Sequence, residues 1–319
     1  MNGMNARRFT ACGSFILMGL STLACHAEPL FSTDPAVSVP VTAPAKTDIV
    51  IGMPGHASPA AEAVVTSVVG DILTVSVLDR NPGWSSDRFV ANGGQPQSYY
   101  VLVMTGAAEG RSYPIEGNTG NTLELDAMGE DLPALIAPGT VVRVIPYWTP
   151  ARLFPGLEGF APTGSISGAG ATAELLVYSN TPGKNRAADT ILYYYDGQLF
   201  GGPGWRVKGA GFANTFDHFP IPSDAVLLYR NAGTQAVDLQ LTASLQLAGF
   251  STVLGTLEDG QDQDNFVALN VAESFSLEAS GLRTHPEFTE ALGISGVGGT
   301  KVLVYDNEQP GRSKAFKDA

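Results

Sequence analysis

Four groups of residues in this chain have the types and spacing to do chemistry. Tyr193, Tyr194 and Tyr195 form a tyrosine triple just ahead of Trp205. A strand alternates its faces, so at least one tyrosine of a triple points away from the core. An exposed flat ring in an acidic β-protein can stack on a sugar, whereas a buried one packs under a loop or a neighbouring unit. The second group is the acidic run EDGQDQDN, with Glu258, Asp259, Asp262 and Asp264. Alternate carboxylates on one side of an extended loop can hold a hard cation such as calcium. The run lacks the full spacing and the distal bidentate Glu of a calcium loop, and its structural reading is a solvated loop leading into a Phe266-Val-Ala-Leu strand.

The third group is Asp217 beside His218, an orienter and a base if the two side chains meet, and a loop hydrogen bond otherwise. His56, His218 and His285 stand in unrelated contexts, none at the spacing of a zinc pair. The fourth is the glycine run Gly293 to Lys301, GISGVGGTK, which superficially resembles a phosphate loop. It lacks the Gly-Lys-Ser/Thr order, and the VLVY that follows is a strand where a phosphate loop must open a helix. No G-x-S-x-G nucleophile elbow occurs in the chain. No catalytic residue is assigned.

The environment of these residues is read from composition. Arg7 and Arg8, the apolar run Phe15 to Leu23, and the small residues of Cys25-His26-Ala27 read as an export signal cleaved after Ala27; lipidation of Cys25 after Thr22-Leu23-Ala24 is the weaker alternative, since Thr22 stands where a larger aliphatic residue is usual. The expected location is periplasmic, cell-surface or extracellular. The apolar run is too short for a stable span, and no later run reaches membrane-spanning length. Cys12 and Cys25 are the two cysteines, so a mature chain has no disulfide, thiolate nucleophile or cysteine metal site. Without the signal's two arginines, 16 of the 18 basic side chains face 31 acidic ones, a net charge of −15. Such a surface repels phosphate backbones and anionic lipid, so nucleic acid is not an expected partner.

The elements that must position these groups are strands. Residues 28–60 are rich in Pro and Ala and read as an extended arm with β-like runs at Val37 to Val41 and Asp48 to Gly52. Residues 61–158 read as an N-terminal β domain, a small barrel or sandwich. In it a hairpin turns at Gly70-Asp71, a second spans Tyr99 to Glu116, and further strands lie at Thr122 to Asp126 and Thr140 to Trp148. Asp131 to Ile136 offers one helical turn. Residues 159–292 read as a β repeat domain, sandwich-like, with strands at Glu174 to Tyr178, Ile191 to Tyr195, Trp205 to Lys208, Ala225 to Arg230 and Val237 to Leu247. Thr284 to Gly293 reads as a short helix.

Residues 293–319 read as a partial second repeat. Ile166 to Ala188 and Ile294 to Phe316 align with one gap in each, and 12 of the 22 aligned pairs are identical. The first copy has Glu174 where the second has Lys301, so the glycine run serves no shared catalytic lysine. Repeated segments are repeated supersecondary units.

The succession PGWSSDRFV, SYYVLVM…EGRSYPIEGNTGNTLELD, VIPYWT…LFP and LLVYSN…YYYDG…W…G…LLYRN resembles an uncharacterised family of secreted bacterial proteins found chiefly in Verrucomicrobia-type genomes. The resemblance runs from about Val37 onward and implies export and a β-rich body; it carries over no catalytic residue. It also implies a second YYYDG-and-Trp unit after VLVYDN, relative to which this chain reads as C-terminally truncated. The overall expectation is an all-β exported protein, structural or binding rather than enzymatic. A carbohydrate-binding or glycan-hydrolysing role is the alternative, and a hydrolase needs two carboxylates roughly 5–10 Å apart across a cleft. An open strand edge at VLVYDN is expected to favour self-association.

Overall fold

Short apolar runs with period-two alternation, cut by Gly, Pro and Asx turns, make strands, and the protein is all-β. The computed structural model describes residues 35–53, 55–78, 84–92, 96–179, 183, 186–211, 214–245, 263–268, 278, 302–313 and 317–318. In chain order the strands are β1 (Ala36–Ala43), β2 (Thr47–Ile51), β3 (Ala61–Val69), β4 (Ile72–Val77), β5 (Tyr99–Val103), β6 (Ser112–Asn118), β7 (Thr122–Leu125), β8 (Val141–Pro146), β9 (Ala173–Tyr178), β10 (Thr190–Tyr195), β11 (Gly204–Val207), β12 (Val226–Asn231), β13 (Val237–Ser244), β14 (Leu303–Val304) and β15 (Lys317–Asp318). Two single-turn helices, α1 (Leu132–Leu135) and α2 (Pro150–Leu153), flank β8. The expected helix at Thr284 to Gly293 lies outside the described residues.

Of barrel and sandwich, the first half is a closed antiparallel barrel of order β3-β4-β7-β6-β5-β8, with β8 returning to β3. Register shifts between Val65 and Ser67, and between Ile115 and Gly117, are the bulges that bend these strands. Inward residues fill the barrel: Val65, Leu73, Val101, Tyr113, Leu123 and Val142 are all buried. Leu132 of α1 and Ile136 just beyond it join that core.

A five-stranded antiparallel sheet of order β11-β10-β9-β12-β2 forms the second layer. β1 and β13 form a separate antiparallel ribbon, running from Ala36 opposite Ser244 to Ala43 opposite Val237. The segment read as an extended arm is therefore extended but not separate: its two β-like runs are β1 and β2, each paired with a strand from beyond residue 220. Nor does a core boundary fall near Gly159. Tyr100, Leu102 and Ile145 on the outer wall of the barrel share one hydrophobic core with Leu175, Leu227 and Trp205 of the sheet and Leu239 and Leu241 of the ribbon. β5 alternates between two cores, Val101 and Val103 inward and Tyr100 and Leu102 outward, which is why its sequence YYVLV is apolar on both faces.

The opposite face of the five-stranded sheet carries charge. Asp48, Arg230 and Glu174 are register partners on β2, β12 and β9. Arg230 donates from Nε and Nη2 to the two Asp48 oxygens at 2.9 Å each, and its Nη1 lies 3.5 Å from Glu174. Lys208 Nζ closes the row on Glu174 at 2.6 Å. Asp48 is fully buried and Glu174 is 5% exposed. A carboxylate so far from water persists only when paired and hydrogen-bonded. Removing it with Asp48→Ala should cost about 3 kcal/mol, because Arg230 is left half-buried without its bidentate partner. Chemical denaturation checks this; an unchanged midpoint would show the ladder to be dispensable.

Candidate functional site

The tyrosine triple and Trp205 lie on β10 and β11, paired so that Tyr193 faces Arg206 and Tyr194 faces Trp205 across the ladder. Alternation sends Tyr193 and Tyr195 to the charged face and Tyr194 and Trp205 to the shared core. Tyr193, Tyr195 and Trp205 are 1–2% exposed, which takes their rings away from any solvent-facing stacking role. The physical reason is that both faces of this sheet are covered. Tyr193 lies under the 165–168 loop, where its hydroxyl donates to the Ile166 carbonyl. Gly168 sits so close to the ring, at φ +71°, that a Cβ there would meet it at 2.9 Å. Trp205 meets Phe160 edge to face at 4.8 Å. Tyr194 is half-buried with its ring against Trp205.

Arg206, 2% exposed, stacks over Tyr195 at 5.4 Å. Its guanidinium donates to the carbonyls of Asn214, Phe200 and Gly202, so it holds the 199–215 loops rather than a ligand.

The remaining candidates are separated from one another. Asp217 spends a carboxylate oxygen on the Trp205 backbone N–H at 2.9 Å, while His218 stands exposed beside it. This is a loop clamp. Of the acidic side chains in that run only Asp264 is described, its backbone N–H donating to the Gly183 carbonyl at 2.6 Å. Glu258, Asp259 and Asp262, like the glycine run, lie outside the described residues. Among the described residues no group of three or more His, Cys, Asp or Glu side chains is placed to hold a metal ion, and no helix is long and apolar enough to cross a membrane.

The structure assembles a different surface. Ser98, Tyr99, Pro114, Ile115, Tyr147, Pro220 and Pro222 line an open groove of about 290 Å³ between the barrel and the chain leading into β12. Its geometry is fixed from behind. Ile221 pairs with Trp148 through a backbone hydrogen bond of 2.8 Å and is fully buried, so the prolines on either side of it lean out over the barrel wall. On the barrel side Tyr147 N–H donates to the Ser98 carbonyl at 3.0 Å, and Gln97 donates to both the Ser98 and Tyr147 carbonyls. Tyr147 packs on Tyr100 at 4.9 Å. Burial, then the carboxylates of Asp224 and Asp126, push the Tyr147 phenol above the ordinary tyrosine range. The groove thus joins half-exposed rings to proline faces. Sequence reasoning missed it because its residues come from four separate stretches; the local signal was one aromatic at each of two adjoining strand ends, Tyr99 opening β5 and Tyr147 just past β8.

No protein family, curated protein or solved structure matches this chain.

The buried phenols make stability depend on alkaline pH. Burial first, and then the Glu130 carboxylate, push Tyr113 up to about 12. Burial and Asp48 do the same for Tyr305. Tyr100 and Tyr229 are also pushed up by burial. An unfolded phenol titrates near 10. Each folded-state value lies above it, so the folded protein keeps protons that the unfolded chain releases. That contribution is fully present below pH about 10 and is lost as pH rises through about 12. Tyrosinate absorbance and circular dichroism followed together should show part of the ten tyrosines ionising only as the β signal collapses. Full ionisation near pH 10 (the ordinary phenol value) with the fold intact would contradict this.

Proposed function

We propose that this chain is an exported structural and binding protein of the cell surface or extracellular space, without catalysis of its own, and that the groove beside Tyr99 and Tyr147 is its ligand surface. The observation that carries the reading is how the chemically able side chains are used. Asp48 and Glu174 are held by Arg230 and Lys208, Asp217 by the Trp205 backbone, and Glu130 by Arg111 and Tyr113. Catalytic groups need an open position for substrate, and these are spent on the framework. The groove, by contrast, offers an apolar concave surface with a few polar groups nearby, the usual make-up of a binding site. Residues 1–27, which read as an export signal, support the location.

A second reading is that the ligand is a glycan. The groove favours it, since half-exposed tyrosine rings beside proline faces can stack on a sugar face. Glycan-array screening followed by calorimetry on the hits tests both readings. Tyr99→Ala should weaken a bound glycan about tenfold, the effect of losing one well-placed ring. Binding that survives both Tyr99→Ala and Pro222→Ala would move the ligand surface elsewhere.

A further inference from the structure

The two similar segments each run from a strand into a turn, and both turns take hold of the backbone of an aspartate. In the alignment Tyr178 matches Tyr305 and Gly183 matches Gly311. In the first copy the Gly183 carbonyl accepts the Asp264 N–H at 2.6 Å, and Tyr178 stacks on Phe266 with ring centroids 4.9 Å apart. In the second the Gly311 carbonyl accepts the Asp48 N–H at 3.0 Å, and the Tyr305 hydroxyl donates to the Asp48 carbonyl at 3.2 Å. Both aspartates open an apolar stretch, Asp264-Asn-Phe-Val and Asp48-Ile-Val-Ile. In the second copy the turn clamps the start of β2; in the first, residues 264–268 are not a strand, so the strand expected at Phe266 is not formed in its described residues.

The second clamp does more. β2 is the outer strand of the five-stranded sheet, with β12 on one side only. Its outward groups are met by side chains and turn backbone. The Asn307 amide donates to the Val50 carbonyl and accepts the Val50 N–H, both at 2.8 Å. A primary amide offers the same donor and acceptor pair as one residue of a neighbouring strand. Gly311 N–H reaches Thr47 Oγ1 at 3.2 Å, and Ser313 N–H reaches the buried Asp48 carboxylate at 2.8 Å. Such an edge, uncovered, is a template for another chain.

We propose that the outer edge of β2 is an interaction surface whose ligand is the segment Val302 to Ser313, and that two copies of this chain associate by exchanging that segment. At VLVYDN, β14 pairs with β15 in a two-stranded sheet, and the edge at stake here is that of β2. The contacts that seat the segment on β2 are local and polar, and need nothing from the rest of its own chain. Asp264 and Phe266 are tied back to Gly183 and Tyr178, which leaves residues 269–301 as the connection to Val302. A connection of that length has the reach to serve its own edge or a neighbour's, so self-closure wins in dilute solution and exchange at high concentration.

Two full-length variants separate the donor from the acceptor. Asn307→Ala combined with Gly311→Val disables the segment, since Gly311 sits at φ +123° where a side chain is strained. Val50→Pro disables the edge while sparing the sheet, because the N–H it removes points to Asn307 and not to β12. Light scattering after size exclusion should show the parent protein forming a dimer whose fraction rises with concentration. Neither variant should dimerise alone, and a mixture of the two should yield a one-to-one complex. A dimer that persists in the Asn307/Gly311 variant, or a parent that stays monomeric at every concentration, overturns the proposal. Should a variant fail to fold, native mass spectrometry of mixed isotope-labelled and unlabelled parent decides: mixed dimers support exchange, and their absence overturns it.

Discussion

Arg230 is the side chain on which the second half of this molecule depends. It stands between two buried carboxylates, Asp48 on β2 and Glu174 on β9, and each belongs to a different stretch of the chain. A guanidinium can engage a carboxylate through two parallel hydrogen bonds, and here it does so with Asp48. Because all three residues are opposite one another in register, the row holds only when β2, β12 and β9 are aligned as observed. A slip of one residue would turn each charge toward the apolar core, and the cost of burying unpaired charge forbids it. The same aspartate then reaches outward, its backbone and carboxylate receiving the turn at Gly311 to Ser313. One ion pair thus aligns the sheet and anchors what covers its edge.

The apolar side is organised by a shared wall. β5 and β8 belong to the barrel, yet their outward residues Tyr100, Leu102 and Ile145 enter the core beneath the five-stranded sheet. Two cores that share strands cannot be pulled apart without exposing one of them, so barrel, sheet and ribbon are held together by the same apolar burial that builds each. The candidate groove is a by-product of this arrangement. It opens where the barrel wall meets the residues flanking Ile221, whose burial and pairing with Trp148 set the two prolines in place.

Most strands were legible in the chain because their signal is local. Gly70-Asp71 marked a hairpin turn, the first eight residues of VDLQLTASLQL became β13, and Val141–Pro146 within TVVRVIPYW became β8. The ring residues of β10 and β11 were legible as strand residues but not as buried ones. ILYYY reads the same whether one face of its sheet is open or both are covered, and the loop at Ile166 that covers the second face over Tyr193 comes from elsewhere in the chain. The pairing of Asp48 with Arg230 carried no sequence signal, since neither neighbourhood names its partner.

Class, strand positions and turns were therefore determined by the sequence itself, through side-chain alternation and the φ preferences of Gly and Asx residues. Tertiary structure alone decided which strands pair, which of two faces meets a second layer, and where a groove remains open. The reason is that a strand's hydrogen bonds and both its faces are satisfied by residues distant in the chain. A run of five apolar residues states only that it will be buried, not by what. Tyr193 became a buried residue and Tyr99 a groove residue for that reason: a loop covers the one and the covering stops short of the other.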